Sequence, residues 1–199
     1  MSAQPLHSAA LRRTVITVAA LNGAYFGVEF AVALAIGSVS LFADSIDFLE
    51  DAAINSLIAL ALGWTLQARA RMGAGLAALL LVPGLATLWM AWHKFSVPVA
   101  PDAQALSLAG GGALLVNLLC AYLLARFRHD GGSLTKAAFL SARNDAFANV
   151  AIIGAGWATA LTASAWPDLL VGLAIAVMNA DAAREVWQAA RAEHRQAQA

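Results

Sequence analysis

The sequence predicts an all-α integral membrane protein that crosses the membrane six times, with both termini in the cytoplasm. Of its 199 residues, 61% are hydrophobic and only 12% are charged, whereas a soluble domain carries about 25% charged residues. Apolar runs of about 20 residues, the length that spans a bilayer as a helix, recur along the chain. The 12 basic residues balance the 12 acidic ones. The chain therefore lacks the excess of basic residues that is typical of nucleic-acid-binding proteins. The high apolar content excludes a disordered chain.

The first three predicted helices are residues 14–36, 40–65 and 72–95. The first is apolar apart from Glu29 and is too long for a signal peptide, so we expect it to be retained. Gly37 and Ser38 form a turn before the second helix, which begins with several acidic residues and continues into a charge-free run. The third helix carries no charge until Lys94 and ends before Pro98.

The last three predicted helices are residues 103–126, 136–163 and 166–188. Pro101 precedes the fourth helix, which carries no charge until Arg126. A glycine pair at 131–132 lies in a loop before the fifth helix. Pro167 falls in the first turn of the sixth, where a helix does not need a backbone donor.

The basic residues predict the orientation of the chain. Ten of the twelve fall on one side of a six-helix arrangement, and in membrane proteins this excess of Lys and Arg marks the cytoplasmic side. These ten are Arg12, Arg13, Arg69, Arg71, Arg126, Arg128, Lys136, Arg184, Arg191 and Arg195. Lys94 alone falls on the other side, and Arg143 lies within a helix. We therefore expect an integral cell-membrane protein of a bacterial inner membrane, with a transmembrane domain at 14–188 between cytoplasmic tails at 1–13 and 189–199.

Polar and ionisable side chains inside the predicted spans concentrate on three helices. Such groups are expensive in a membrane, so each is a functional candidate. They are Asn22 and Glu29 on the first helix, Asp44, Asp47, Glu50, Asp51 and Asn55 on the second, and Ser141, Arg143, Asn144, Asp145 and Asn149 on the fifth. The third and fourth helices are nearly free of them, with Asn117 as the main exception.

An i, i+4, i+8 spacing, which keeps side chains on one face of a helix, occurs twice among these residues. It relates Asp47, Asp51 and Asn55 on the second helix, and Ser141, Asp145 and Asn149 on the fifth. If the two faces meet, Asp47, Asp51 and Asp145 converge. Three carboxylates cannot stay ionised together in a low dielectric unless a cation joins them or some take up protons. Those two alternatives are the two halves of an exchange of a metal ion for protons.

Hydrogen bonding between helices is the alternative interpretation of such polar faces. It is favoured over ligation for Asn22, Asn55, Asn117 and Asn149. Aspartates are a poor choice for such contacts, because amides make them without carrying a charge into the membrane. For the three aspartates we therefore favour cation binding.

The remaining candidates have open roles. Asp44 lies nearer the outer end of its helix and is evenly balanced between cation binding and packing. Glu50 is offset around the helix and serves either as a partner for Arg143 or as a proton-path residue. Arg143 points away from the polar face of its helix, so we expect it in a buried ion pair. Glu29 shares a face with Asn22, where a structural pairing and a gating role are equally open.

Several segments resemble a known family. Residues 37–51, GSVSLFADSIDFLED, combine a serine-containing turn, an Ala-Asp pair and two aspartates four positions apart. Residues 141–145, SARND, occupy the position of that family's fifth-helix motif, and residues 167–169, PDL, resemble the start of its sixth helix. Over residues 14–188 the sequence resembles the transmembrane domain of the cation diffusion facilitator, or cation efflux, family.

The resemblance implies a function and a ligand set. The family exchanges cytoplasmic divalent transition metals, commonly zinc, for protons by alternating access, and it usually works as a homodimer. By position, Asp47, Asp51 and Asp145 would be metal ligands near the middle of the membrane. Ser141 stands where the family usually has His or Asp, so either Ser141 or Asn144 would complete the shell. Such an all-oxygen site prefers zinc less strongly, and we expect zinc first in a set with cadmium, cobalt, nickel, manganese and iron.

One departure from the family, and two rival functions, accompany this resemblance. The family normally carries a soluble C-terminal metal-sensing domain, whereas only residues 189–199 follow the sixth helix here. We expect a member that lacks this domain and dimerises, if it does, through membrane helices.

The two rival functions are a proton or monovalent-cation pathway and a non-transporting accessory subunit. No P-loop, GxSxG or HExxH motif occurs, so neither an enzyme nor a prosthetic group is expected, and the metal ion is the substrate.

Overall fold

A computed structural model describes residues 3–61, 85–127 and 132–178, and within these ranges the chain forms helices and no strand. Six helical segments follow one another there: α1 (Ala3–Ile36), α2 (Val39–Ala61), α3 (85–96), α4 (Ala103–Ala125), α5 (Gly132–Thr162) and α6 (Trp166–Met178). The predicted all-α fold is confirmed for this part of the chain. Parts of three predicted elements lie outside the described residues, namely 62–65, 72–84 and 179–188, together with the predicted tail at 189–199.

The first helix is longer than predicted. Residues 3–13, expected to form a tail, continue α1 toward the N-terminus. Leu11 is only 7% exposed and belongs to an apolar cluster with Leu124 and Phe127 at the end of α4 and with Ala138 in α5. Burial of Leu11 against these helices stabilises the N-terminal extension of α1, which sequence hydropathy alone assigns to solvent.

The interior has apolar clusters toward its two ends, with polar residues between them. α1 and α2 pack as an antiparallel pair, α4 packs on α1 and α5, and α5 also contacts α2. One cluster contains Val18 of α1 and Ile58 of α2, and the other contains Ala33 and Phe42 of the same two helices. The polar positions of the site lie between these clusters along the two helices. The fold therefore holds the candidate residues at mid-height in the bundle.

The outside of the bundle is strongly apolar. Exposed large side chains include Trp89, Leu115, Tyr122, Phe147 and Leu161, a distribution that suits lipid rather than water. Among the described residues, two helices are long and apolar enough to cross a membrane, Ala9–Ile36 and Ala103–Ala125, and Trp166–Met178 is a shorter apolar helix. α2 and α5 carry the polar side chains, which lower their hydropathy relative to the expected continuous spans.

The turn between α1 and α2 has the predicted glycine conformation. Gly37 has a φ of +63°, in the left-handed region that favours glycine. The Ser38 amide donates to the Ala33 carbonyl at 3.0 Å, which closes the end of α1. The ammonium group of Lys94 in α3 donates to the Gly37 carbonyl, so a third helix also holds the turn.

Asp168, in the first turn of α6, connects this helix to the N-terminus of α2 and to α3. Its carboxylate accepts from the hydroxyls of Ser38 at 2.6 Å and Ser40 at 2.7 Å, and from the backbone amides of Val39 at 2.9 Å and Ser40 at 3.1 Å. Lys94 completes the arrangement with its ammonium group 3.5 Å from Asp168 Oδ2. We call this set, Ser38, Val39, Ser40, Lys94 and Asp168, the Asp168 clamp. It satisfies backbone donors at the N-terminus of α2 with a carboxylate from another helix.

A close backbone approach accompanies the clamp and supports a first prediction. A Cβ at Gly172 of α6 would lie 2.7 Å from the Val39 carbonyl carbon and 2.8 Å from the Ser40 amide nitrogen, both backbone atoms. We expect Gly172→Ala to push α6 away from α2 and to lower the free energy of unfolding by about 1–3 kcal/mol. Thermal unfolding in detergent measures the change. Gly111→Ala is the matched control, because a Cβ there meets no atom within 4 Å. Equal stability of the two variants would contradict the close approach.

Candidate cation site

A cavity of about 110 Å³ lies between α2, α5 and α6, several times the volume that one water molecule needs. The residues that line it are Asp47, Glu50, Asp51, Ser141, Asn144, Asp145 and Met178. All five residues predicted as ligands are in this set, together with Glu50 from the second group of candidates. The polar faces of α2 and α5 therefore meet at one cavity.

A direct hydrogen bond joins the two faces. The Ser141 hydroxyl donates to Asp51 Oδ1 at 3.0 Å, which links α5 to α2 across the cavity wall. Asp51 is only 3% exposed, so this contact lies in the interior. Ser141, where the resembled family usually has His or Asp, thus holds a carboxylate that points into the cavity.

Asp47 and Asp145 face the cavity from opposite helices. Asp47 is 9% exposed, and Asp145 is half-buried. Among the residues that the structure describes, no three His, Cys, Asp or Glu side chains are already gathered closely enough to hold a metal ion. The carboxylates share a cavity but do not surround a single point, so binding a cation there requires them to close on it.

Arg143 and Asn144 are both exposed, and of the two only Asn144 lines the cavity. Arg143 is exposed rather than buried, and its guanidinium donates to Asn144 Oδ1 at 3.2 Å. The expected burial of Arg143 is therefore wrong, because this part of α5 turns its side chain outward. Glu50 is half-buried and lines the cavity, so its carboxylate lies among the aspartates, as the proton-path alternative for this residue requires.

A second polar group, the inner cluster, lies about two turns from Asp51 toward the N-terminus of α2, where side chains of α1, α4 and α5 join it. It consists of Glu29, Asp44, Asn117 and Asn149, all buried. Asn149 donates through Nδ2 to Asp44 Oδ2, and its Oδ1 accepts from Asn117 Nδ2 at 3.0 Å. The predicted hydrogen bonding between helices is confirmed for these two asparagines, which connect α4, α5 and α2.

Asn22 and Asn55 make weaker or more local contacts. Asn22 Oδ1 accepts from the Cys120 thiol at 3.9 Å, which connects α1 to α4. Asn55 donates to the Asp51 carbonyl of its own helix at 2.9 Å. Within the described part of the chain, Asn22 Nδ2 and Asn55 Oδ1 have no hydrogen-bond partner. Neither residue lines the cavity.

A family model described as the cation efflux transmembrane domain matches residues 15–191, which is most of the chain. The chain belongs to the cation efflux family. No curated protein is detectably similar to it in sequence. As a cation efflux domain it is a membrane protein of cation transport, and its fold is helical as that membership requires.

The Asp168 clamp of this cation efflux domain is not predicted by the sequence. From the sequence alone, Lys94 is the one basic residue on the far side, and Asp168 is part of a helix start. A signal did exist, because a lone cation and an aspartate predicted at the same end of the bundle can neutralise each other. The serines of the turn could not be assigned as its partners without the tertiary structure.

Proposed function

We propose that this cation efflux domain is a secondary transporter that exports divalent transition-metal cations from the cytoplasm in exchange for protons. One observation carries the proposal, namely that Asp47, Asp51 and Asp145 line a single cavity although they come from two helices. Several carboxylates and no basic residue line this cavity within the described part of the chain. Such a lining favours a divalent cation over an anion or a neutral solute.

The proposed ligands are Asp47, Asp51 and Asp145, with Ser141 or Asn144 completing the shell. Ser141 already contacts Asp51 at 3.0 Å, so a small rotation brings its oxygen toward a cation bound by that carboxylate. Asn144 Oδ1 is held by Arg143 and has to exchange that contact for the metal. Oxygen ligands suit several divalent metals, so we propose zinc first and cadmium, cobalt, nickel, manganese and iron as further substrates.

Charge balance supports proton exchange at this site. With a divalent cation bound, the three aspartates can all remain ionised. After the cation leaves, the same carboxylates face each other in a buried cavity and take up protons to lower their repulsion. Movement of α5 relative to α2 would open the cavity to one side or the other, because these two helices carry the ligands.

The transport cycle requires an orientation, which we also propose. Six membrane crossings with cytoplasmic termini place the basic helix ends in the cytoplasm and the Asp168 clamp on the opposite side. The apolar exterior of the bundle supports insertion in a lipid bilayer, with a bacterial inner membrane as the expected location. A homodimer would form through the membrane helices.

Reconstitution into liposomes tests the proposed function. We expect an imposed pH gradient to drive zinc across the vesicle membrane in the direction opposite to proton flow, measured with an internal fluorescent indicator, and cadmium, cobalt, nickel, manganese and iron to follow at different rates. Proton flux without any divalent metal would instead support the monovalent pathway. Silence across all six metals, with the protein folded and inserted, would contradict transport and favour an accessory subunit.

A further inference from the structure

The inner cluster contains two carboxylic acids that the cavity does not use. Glu29 of α1 and Asp44 of α2 are both 0% exposed, and neither lines the cavity. Their helices are in contact on either side of these acids, where the ring centroids of Phe30 and Phe42 lie 5.4 Å apart and those of Tyr25 and Phe48 lie 5.0 Å apart, so the two carboxyl groups are neighbours across the α1–α2 contact. Two acids thus lie together in the interior of the bundle.

The partners of these two acids are unequal. Asp44 Oδ2 receives the amide of Asn149, which Asn117 holds in that orientation. Asp44 Oδ1 and both oxygens of Glu29 have no fixed hydrogen-bond partner among the described residues. A buried carboxylate oxygen without a donor is costly, and a proton carried by one of the two acids gives one oxygen of each acid a hydrogen bond.

Among the described residues, no neighbouring side chain neutralises the pair. The ion pair found in these ranges joins Lys94 to Asp168, in the clamp. The Tyr25 hydroxyl, one turn from Glu29, donates to the Ala109 carbonyl at 2.6 Å and is therefore engaged elsewhere. The other titratable groups that interact with the pair are acids of the cavity: Asp47, Asp51 and Asp145.

We propose that Glu29 and Asp44 form a proton-binding site of their own, which holds a single shared proton while the cavity is empty and releases it when a divalent cation binds among Asp47, Asp51 and Asp145. The inference rests on the proposed function and adds a separate proton carrier to it. A carboxyl–carboxylate hydrogen bond is of the strong, charge-assisted kind, and it satisfies the facing oxygens of both acids. Asn149 stabilises the charge that remains on Asp44.

Electrostatic interaction links this pair to the cavity. Without a metal, the acids of the cavity disfavour a second negative charge on the pair, so the proton stays. A divalent cation reverses the local potential and favours its release. The pair loses its proton when the cavity gains the cation, although the two sites share no residue. This opposite change of charge couples the proton to the cation.

Counting protons released on metal binding tests the proposal. Zinc is titrated by calorimetry into the purified full-length protein in buffers of different ionisation enthalpy, which yields the number of protons released per metal. We expect Glu29→Gln to release about one proton fewer than the wild type, because the amide introduced by this substitution donates permanently to Asp44 and leaves it ionised. Zinc affinity should change by less than about tenfold, since the ligands are intact.

Two further variants sharpen the test. Asp44→Asn should lose the same proton, because the new amide can accept from Asn149 and donate to Glu29 at once. The double variant should lose no more than either single variant, since only one proton is shared. Asp102→Asn, at the exposed N-cap of α4, is the matched control and should release the wild-type number. Thermal unfolding confirms that each variant is folded.

The outcomes separate this inference from the proposed function. If the wild type binds zinc and releases protons but both single variants release the same number, the shared proton is refuted and the transporter stands. A double variant that loses two protons would also refute sharing, because the acids would then titrate independently. If the wild type binds no metal at all, the proposed function itself fails.

Discussion

Replacing Asp51 or Asp145 with asparagine is expected to lower metal transport by at least about 100-fold while leaving the protein folded. Partners outside the ligand shell already contribute 10–100-fold to metal affinity, and loss of a ligand charge removes more. The fold should tolerate Asp51→Asn, because the amide oxygen of the new side chain can still accept the hydroxyl of Ser141. No basic side chain of the described residues lines the cavity to be left unpaired. Initial transport rates in liposomes, with metal binding by calorimetry, measure the effect.

The control for this experiment makes the same chemical change away from the cavity. Asp102→Asn substitutes an exposed N-cap at which asparagine serves as well as aspartate, so its transport rate should match the wild type. Asp51→Ala and Asp145→Ala should lower the transport rate as much as the asparagine variants do, because the loss of the carboxylate charge causes the effect. Transport at the wild-type rate in both the Asp51 and the Asp145 variants would remove these residues from the site.

Loss of the Asp168 carboxylate is expected to lower the free energy of unfolding by about 3–5 kcal/mol, the range found when one member of a buried ion pair is removed. Asp168→Asn removes the negative charge and replaces one carboxylate oxygen with an NH2 group. Only one acceptor oxygen then remains for the two serine hydroxyls and the two backbone amides at the start of α2. Lys94, itself buried, is left without the counter-ion that the clamp provides. Reversible unfolding in mixed detergent micelles measures the difference.

A double-mutant cycle distinguishes the clamp from a general packing defect. Lys94→Met should cost less than Asp168→Asn, because Asp168 would keep four other donors. The double variant should be more stable than the sum of the single losses predicts, since it leaves no unpaired charge in the clamp. Strict additivity of the two substitutions would mean that the ion pair contributes nothing, and the clamp would reduce to hydrogen bonds alone.

The clamp also bears on the cavity, because it acts on the helix that carries two of the proposed ligands. Asp47 lies about two turns along α2 from Ser40, so a firmly held N-terminus limits how far the first half of α2 can move. Movement that opens the cavity is therefore easier to assign to α5, whose contact with α2 at the cavity is the Ser141–Asp51 hydrogen bond. We expect Asp168→Asn to reduce transport less than Asp51→Asn does, since it leaves every ligand in place.

Helical periodicity predicted four of the residues that share the cavity, although Asn55 and Asn149, the third members of the two series, do not line it. Asp47 and Asp51 stand four positions apart, as do Ser141 and Asp145, and all four line it. Periodicity succeeds because neighbours at this spacing share a face in any regular helix, whatever surrounds them. It placed Arg143 off the polar face of α5 but could not predict that this side chain is exposed, because exposure depends on the packing of neighbouring helices.

By itself, the sequence determined the helical membrane fold, the family and the two polar faces, because hydropathy and helical spacing are local properties of the chain. Only the tertiary structure decided which polar groups contact each other across helices. It divided the acids between the cavity and the inner cluster, joining Asp44 to Asn149 and burying it with Glu29 where α1 and α2 are in contact. It also paired Lys94 with Asp168 from distant parts of the chain. The physical reason is that these contacts depend on the rotation and register of one helix against another, which the packing of the whole bundle sets.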